Sequence, residues 1–224
     1  MTGTVVVAGG TGGLGGAVTA EFLAAGWRVV VPGRSEKSLA ELGTASGLHT
    51  LVVDLADPAG AADVARVAAA DESAPVRALV NLVGGFASGK RVHETPIEEF
   101  ESQLALNLRP TYLVTQAILP LLIAAGGGSI TCTSSGSAVK PFSGAAGYIT
   151  AKAGVLAFVD ALAVEYAKDQ IRVNAILPGT IDTPANRRAM PDADTAKWTS
   201  PAQIATVLRL LTETPGVTGA HLPV

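Results

Sequence analysis

Seven short, mostly apolar runs recur along the chain, and few of them alternate polar with apolar residues as a strand with one wet face would. They lie at 4–9 (TVVVAG), 28–33 (RVVVPG), 48–55 (LHTLVVDL), 76–84 (VRALVNLVG), 129–135 (SITCTSS), 171–179 (IRVNAILPG) and 217–224 (VTGAHLPV). A strand that is apolar on both sides must be covered on both sides, which is the condition of a parallel sheet between two helical layers. Between the runs, segments 14–25, 58–70, 96–123, 145–167 and 201–212 are rich in Ala, Leu and Glu and have helical length and spacing. The pattern predicts an α/β fold, a doubly wound parallel sheet of seven strands with helices on both faces. Such a sheet binds its ligands at the carboxyl ends of its strands.

Composition narrows the function classes. With 224 residues, 48% of them hydrophobic, and no linker-like segment, residues 1–224 form one domain with a sizeable core. The net charge of -3 and the scattered Lys and Arg residues give no electrostatic footprint for nucleic acid. A single cysteine, Cys132, excludes an intramolecular disulfide framework, and the start MTGTVVV lacks the pattern of a secretory leader, so a cytoplasmic location is expected. No uninterrupted apolar run reaches the roughly 18 residues of a membrane span, so no membrane association is expected. His49, His93 and His221 are widely separated, and no metal site is predicted.

The first run breaks into glycines, VVVAGGTGGLGG at 5–16, ahead of the helical segment that starts at Leu14. A strand, a glycine turn and a helix N-terminus together make a site for a pyrophosphate, which meets unpaired N–H groups and the positive end of the helix dipole. Gly9, Gly12 and Gly15 satisfy one spacing, GxxGxxG, and Gly9, Gly13 and Gly15 another, GxxxGxG. No Lys-Ser or Lys-Thr follows, which argues against an NTP-binding loop. Further on, SSGSAVKPFSGAAGYITAK at 134–152 places Tyr148 and Lys152 four apart on a predicted helix, hence on one face. An ammonium near a phenol lowers a pKa that begins near 10. Ser135, at a strand end, can hold a carbonyl oxygen while Tyr148 supplies its proton.

Taken in order, these motifs resemble the short-chain dehydrogenase/reductase family from end to end. They are the glycine turn, Asp54-Leu55 after the third strand, Asn81 and Gly84 after the fourth, Asn107 in the next helix, Ser135, YITAK, and PGTIDT at 178–183. The resemblance implies a Rossmann-type fold and hydride transfer between a nicotinamide and a small carbonyl, alcohol or quinonoid substrate. It implies that Tyr148 is the general acid and base, that Lys152 binds the nicotinamide ribose and lowers the tyrosine pKa, and that Ser135 orients substrate. Asn107 would hold a water in the proton relay. Cofactor contacts would come from Gly9, Thr11, Gly12, Gly13, Leu14 and Gly15 in the turn, and from Asp54, Leu55, Asn81 and Gly84. Pro178, Gly179, Ile181 and Thr183 would shape the nicotinamide site. The GxxGxxG spacing belongs to a branch with an added C-terminal substrate domain, for which this length leaves no room, so GxxxGxG is the expected register. A non-catalytic dinucleotide sensor or scaffold is the alternative, although it has less need of all four residues Asn107, Ser135, Tyr148 and Lys152.

Relatives that use NAD carry an acidic residue at the end of the second strand, where this chain has Gly33 followed by Arg34. An arginine fork suits a 2′-phosphate, which favours NADP(H) over NAD(H). The other reading of Arg34 is a solvated loop residue stacked on adenine. A narrower likeness, to dihydropteridine reductase, lies in LPGTIDTPANRRAMPDADTAKWTSP at 177–201 and LVGGFASG at 82–89. Those enzymes prefer NADH and lack the serine and asparagine kept here at Ser135 and Asn107. On this likeness Phe86, Met190 and Trp198 line a substrate pocket around a short loop at 184–200, with Trp198 as a lid over a flat ring. Packing of that loop onto the sheet explains Met190 and Trp198 equally well. The family resemblance also implies a homodimer or homotetramer, assembled through the segments 96–123 and 145–167.

Overall fold

The computed structural model describes residues 3–224. Seven strands form one parallel sheet in the order β3-β2-β1-β4-β5-β6-β7, with β1 at Thr4–Ala8, β2 at Arg28–Gly33, β3 at Leu48–Val52, β4 at Val76–Asn81, β5 at Gly128–Thr133, β6 at Ile171–Leu177 and β7 at His221–Pro223. The order reverses between β1 and β4, and their carboxyl ends therefore open a crevice.

Alternate residues of β1 enter separate cores, which is why the strand sequences carry no polar alternation. Val6 and Ala8 pack with Val64 of α3 (Pro58–Ala68), Ile118 of α5 (Arg109–Ala124) and Val159 of α6 (Ala146–Glu165). Val5 and Val7 pack on the other face with Val18 and Phe22 of α1 (Gly15–Ala24) and Ile204 and Leu208 of α8 (Pro201–Glu213). Each fully buried Val, Leu or Ile contributes about 1.5–3 kcal/mol relative to exposure. The edge strand β3 departs from this pattern: His49 and Thr50 are exposed, and the strand ends at Val52 before the predicted Asp54-Leu55.

The predicted helix 96–123 is two helices, α4 (Ile97–Asn107) and α5, meeting at Leu108. Pro110 explains the break, since it has no N–H for the carbonyl four residues back. Asn107 is thereby left on the last residue of α4. Two short helices were not expected from the sequence, α2 at Glu36–Ala40 and α7 at Pro184–Ala189, the latter within the 184–200 loop. Helix α6 has the length and mean hydropathy, 1.5, of a membrane span, which the sequence reading did not anticipate. In the fold one face of it is buried, through Val155, Leu156, Val159 and Leu162, and α4 packs on it.

Candidate active site

Close backbone approach builds the turn after β1. Gly9 adopts a left-handed conformation, with φ at 82°. The Gly12 N–H donates to the Gly9 carbonyl at 3.1 Å, and the Gly15 N–H to the Gly12 carbonyl at 2.9 Å. A β-carbon on Gly15 would collide with the backbone of Gly9 and Gly10, and one on Gly13 would lie 2.8 Å from Thr183 Cγ2. One on Gly12 would meet nothing nearer than 3.4 Å. The steric demand falls on Gly9, Gly13 and Gly15, the GxxxGxG register, and Gly13 is where Thr183 from the segment after β6 reaches the turn. Gly10, which the sequence reading passed over, is equally tight, 2.6 Å from Val31 Cγ1 by the same measure.

A cleft of about 280 Å³ lies over the carboxyl ends of β1, β2 and β4, lined by Gly9, Thr11, Gly12, Arg34, Asp54, Leu55 and Gly84. Leu14 is buried beneath the turn in the core. Asp54 Oδ1 accepts the Ala56 N–H at 2.9 Å, and Asn81 Oδ1 accepts the Val83 N–H at 3.1 Å. Arg34 is exposed and makes no hydrogen bond or ion pair among the described residues. The cleft, the glycine turn and this uncommitted guanidinium fit a dinucleotide phosphate.

The second half of the site gathers around Lys152, which is 4% exposed. Its Nζ donates to the Thr133 carbonyl at 2.9 Å, while Ser134 Oγ donates to the Lys152 carbonyl at 2.8 Å, so α6 is pinned twice to the end of β5. From the opposite side comes Asn107, wholly buried, with Nδ2 donating to the Gln103 carbonyl at 3.0 Å and Oδ1 accepting the Gly85 N–H at 3.1 Å. A β-carbon on Gly84 would lie 2.5 Å from Asn107 Oδ1 and 2.7 Å from Lys152 Nζ, so the two groups converge on that glycine. Ser135 Oγ lies 2.9 Å from Ser137 Oγ and accepts the Ser137 N–H at 3.2 Å. No spacing rule singled out Ser137, Ser134 or the Thr133 carbonyl.

Electrostatics depart from expectation at the phenol. Burial raises the Tyr148 pKa, with the Ser135 hydroxyl opposing, and burial pulls Lys152 down to about 8. The predicted lowering of Tyr148 by Lys152 does not appear: desolvation of the phenolate dominates. Cys132 stays a neutral thiol, pushed up to about 12 by burial against the opposing effects of Lys152 and Asn81.

The sequence profile of the short chain dehydrogenase family matches residues 3–194. The chain belongs to this family. A 2-(R)-hydroxypropyl-CoM dehydrogenase from Xanthobacter autotrophicus is 33% identical over 82% of this chain and 76% of its own. The 2,5-dichloro-2,5-cyclohexadiene-1,4-diol dehydrogenase LinX of Sphingobium indicum is 30% identical over 98% of this chain and 93% of its own. A solved oxidoreductase of the short chain dehydrogenase/reductase family from Burkholderia thailandensis superposes with a TM-score of 0.87 at 32% identity, covering 100% of this chain and 91% of that one. The structure of ElxO with NADP bound superposes with a TM-score of 0.91 at 22% identity, over 100% of this chain and 97% of that one, a likeness of fold.

Within this short-chain dehydrogenase, the remaining predicted residues divide. The segment after β6 folds back over the site: the Pro178 carbonyl accepts the Gly136 N–H at 2.9 Å, Gly179 donates to Val224, Ile181 bridges to Thr199, and Thr183 caps α7. Phe86 meets Tyr148 edge to face, ring centroids 5.0 Å apart. Trp198 is elsewhere, lining a groove of about 500 Å³ with Ile204, Val207 and Leu222–Val224, and no lid over Tyr148 is formed. Met190 is exposed at the end of α7. Among the described residues no three His, Cys, Asp or Glu side chains gather as metal ligands, and His221 pairs with Asp160 at 2.8 Å.

Proposed function

We propose that this oxidoreductase interconverts a small carbonyl or quinonoid compound and its reduced form with NADP(H), Tyr148 acting as general acid and base. The observation that carries this reading is the convergence on Gly84, beside the dinucleotide cleft, of Lys152 Nζ from the helix that bears Tyr148 and Asn107 Oδ1 from the end of α4. The nicotinamide, when bound, supplies or takes up the hydride. In reduction Tyr148 gives its phenolic proton to the carbonyl oxygen that Ser135 orients, and in oxidation the phenolate takes the hydroxyl proton back. Ser137 holds the Ser135 hydroxyl in place. Lys152, held by Thr133, offers the ribose hydroxyls an ammonium, and Asn107 keeps its fixed place beside it for a relay water.

NADP(H) is favoured over NAD(H) because Arg34 stands uncommitted at the end of β2 where NAD-using relatives keep a carboxylate. Quinonoid dihydropterin belongs among the candidate substrates on the likeness of 177–201 and 82–89 to dihydropteridine reductase. We further propose a cytoplasmic homodimer or homotetramer with no nucleic-acid or membrane partner. A groove of about 610 Å³ between α4, α5 and α6, edged by the Tyr112–Phe158 aromatic pair, supports assembly through these helices.

The test is loss of NADPH absorbance with simple ketones, quinones and quinonoid dihydropterin, with NADH in parallel. Turnover that vanishes in Tyr148→Phe is expected. Turnover that survives this substitution would overturn the assignment of Tyr148.

A further inference from the structure

We infer that the substrate carries a planar, apolar ring next to its reacting carbonyl, received by Phe86 and Phe142. This rests on the oxidoreductase reading above and goes beyond it by naming the substrate class. The Phe86 ring meets the Tyr148 ring at an interplanar angle of 87° with centroids 5.0 Å apart, and the Phe142 ring lies 6.3 Å from Phe86, tilted by 42°. The two phenylalanines come from different loops, one after β4 and one between β5 and α6, and only the fold brings them together.

Neither ring is explained by packing. Phe86 is 61% exposed and Phe142 48%, and neither belongs to the two cores on which the sheet is built. Val139, on the same loop as Phe142, is also exposed. Single exposed apolar residues are ordinary, but two open aromatic rings joined to the proposed acid form a patch whose burial waits for a ligand. Geometry limits what that ligand is. A substrate whose carbonyl oxygen meets the phenol has the Phe86 ring beside the same tyrosine, 5.0 Å away between ring centroids. A flat ring there removes apolar surface from water and meets the two phenylalanines edge to face or offset, the arrangements aromatic pairs prefer. A polyhydroxylated chain in the same place would press its hydroxyls on rings that offer them no hydrogen bond.

The test has two arms. In the first, kcat/KM for NADPH oxidation is compared for acetophenone, cyclohexyl methyl ketone and butanone. Acetophenone should exceed butanone by at least about tenfold, equivalent to 1.4 kcal/mol, and cyclohexyl methyl ketone should fall between them. Butanone matching acetophenone would overturn the inference. In the second arm, acetophenone is titrated into the NADPH complex of Tyr148→Phe, which removes the proton donor but keeps the rings. Phe142→Ala in that background should weaken binding about tenfold, and so should Phe86→Leu. Absence of binding, or binding indifferent to both substitutions, would overturn the inference whatever the first arm gives. Tight binding without turnover by the unsubstituted protein would instead count against the proposed reaction and leave the ring site standing. Both phenylalanines are exposed, so an unchanged melting temperature certifies the fold of each variant.

Discussion

Gly84 has no space for a side chain because Lys152 and its neighbour Asn107 fill it: a β-carbon would stand 2.7 Å from the ammonium. Gly84→Ala must therefore push apart the two buried groups that meet there. Turnover should fall at least about tenfold and stability by about 1–3 kcal/mol, the usual cost of overpacking. Steady-state kinetics and urea unfolding measure the two, and an alanine variant with normal kcat/KM would contradict the convergence described above.

Lys152 gives a pH dependence of definite sign. Its pKa in the folded chain is about 8, against 10.5 for an ordinary lysine. Between those values the unfolded chain binds more protons than the folded one, so the lysine's contribution makes stability rise with pH across that window and stay flat on either side. The full difference is on the order of 3 kcal/mol. In Lys152→Met the rise should disappear, as urea unfolding of both proteins at matched pH values will show. Parallel stability profiles would mean that the lysine is not held as described.

The glycine turn predicts an ordering of three substitutions. Gly15→Ala collides with fixed backbone and should be the most destabilising, and Gly13→Ala should cost less because Thr183 can shift. Gly12→Ala should be nearly neutral in melting temperature, since a methyl there has ordinary contacts. Equal losses at positions 12 and 13 would contradict the GxxxGxG register.

At the far end of the cleft, Arg34→Ala should raise the KM for NADPH by about tenfold or more while leaving that for NADH little changed, because one charged hydrogen-bonding partner of a 2′-phosphate is lost. An equal effect on both cofactors would mean that Arg34 serves the shared part of the dinucleotide.

Much of this was legible in the sequence because it depends on local pattern. Each of the seven apolar runs overlaps one strand, most running past its end, and the glycine spacing, Tyr148 and Lys152 fall where strand ends and helix starts put them. Non-local features were harder to read. Trp198 shares a groove with residues of α8 and β7, a placement that no local pattern reveals. The five residues of α2 are too few to show a helical period, although Ser35 stands as its cap. Pro110 signals the break before Arg109, but the helical apolar spacing continues across it, so pattern alone reads one long helix. The direction of the Tyr148 shift depends on how deeply the ring is buried, and a four-residue spacing to Lys152 carries no information about that.

The division of β1 between two cores bears on how the chain assembles. Every one of its five residues is buried, so the strand has no wet side on which to wait. A chain that has gathered only one helical layer leaves a bare sheet of valines, ready to adhere to another half-built copy. Closing both layers, one of them from helices as far apart in sequence as α1 and α8, is thus the step on which escape from aggregation depends.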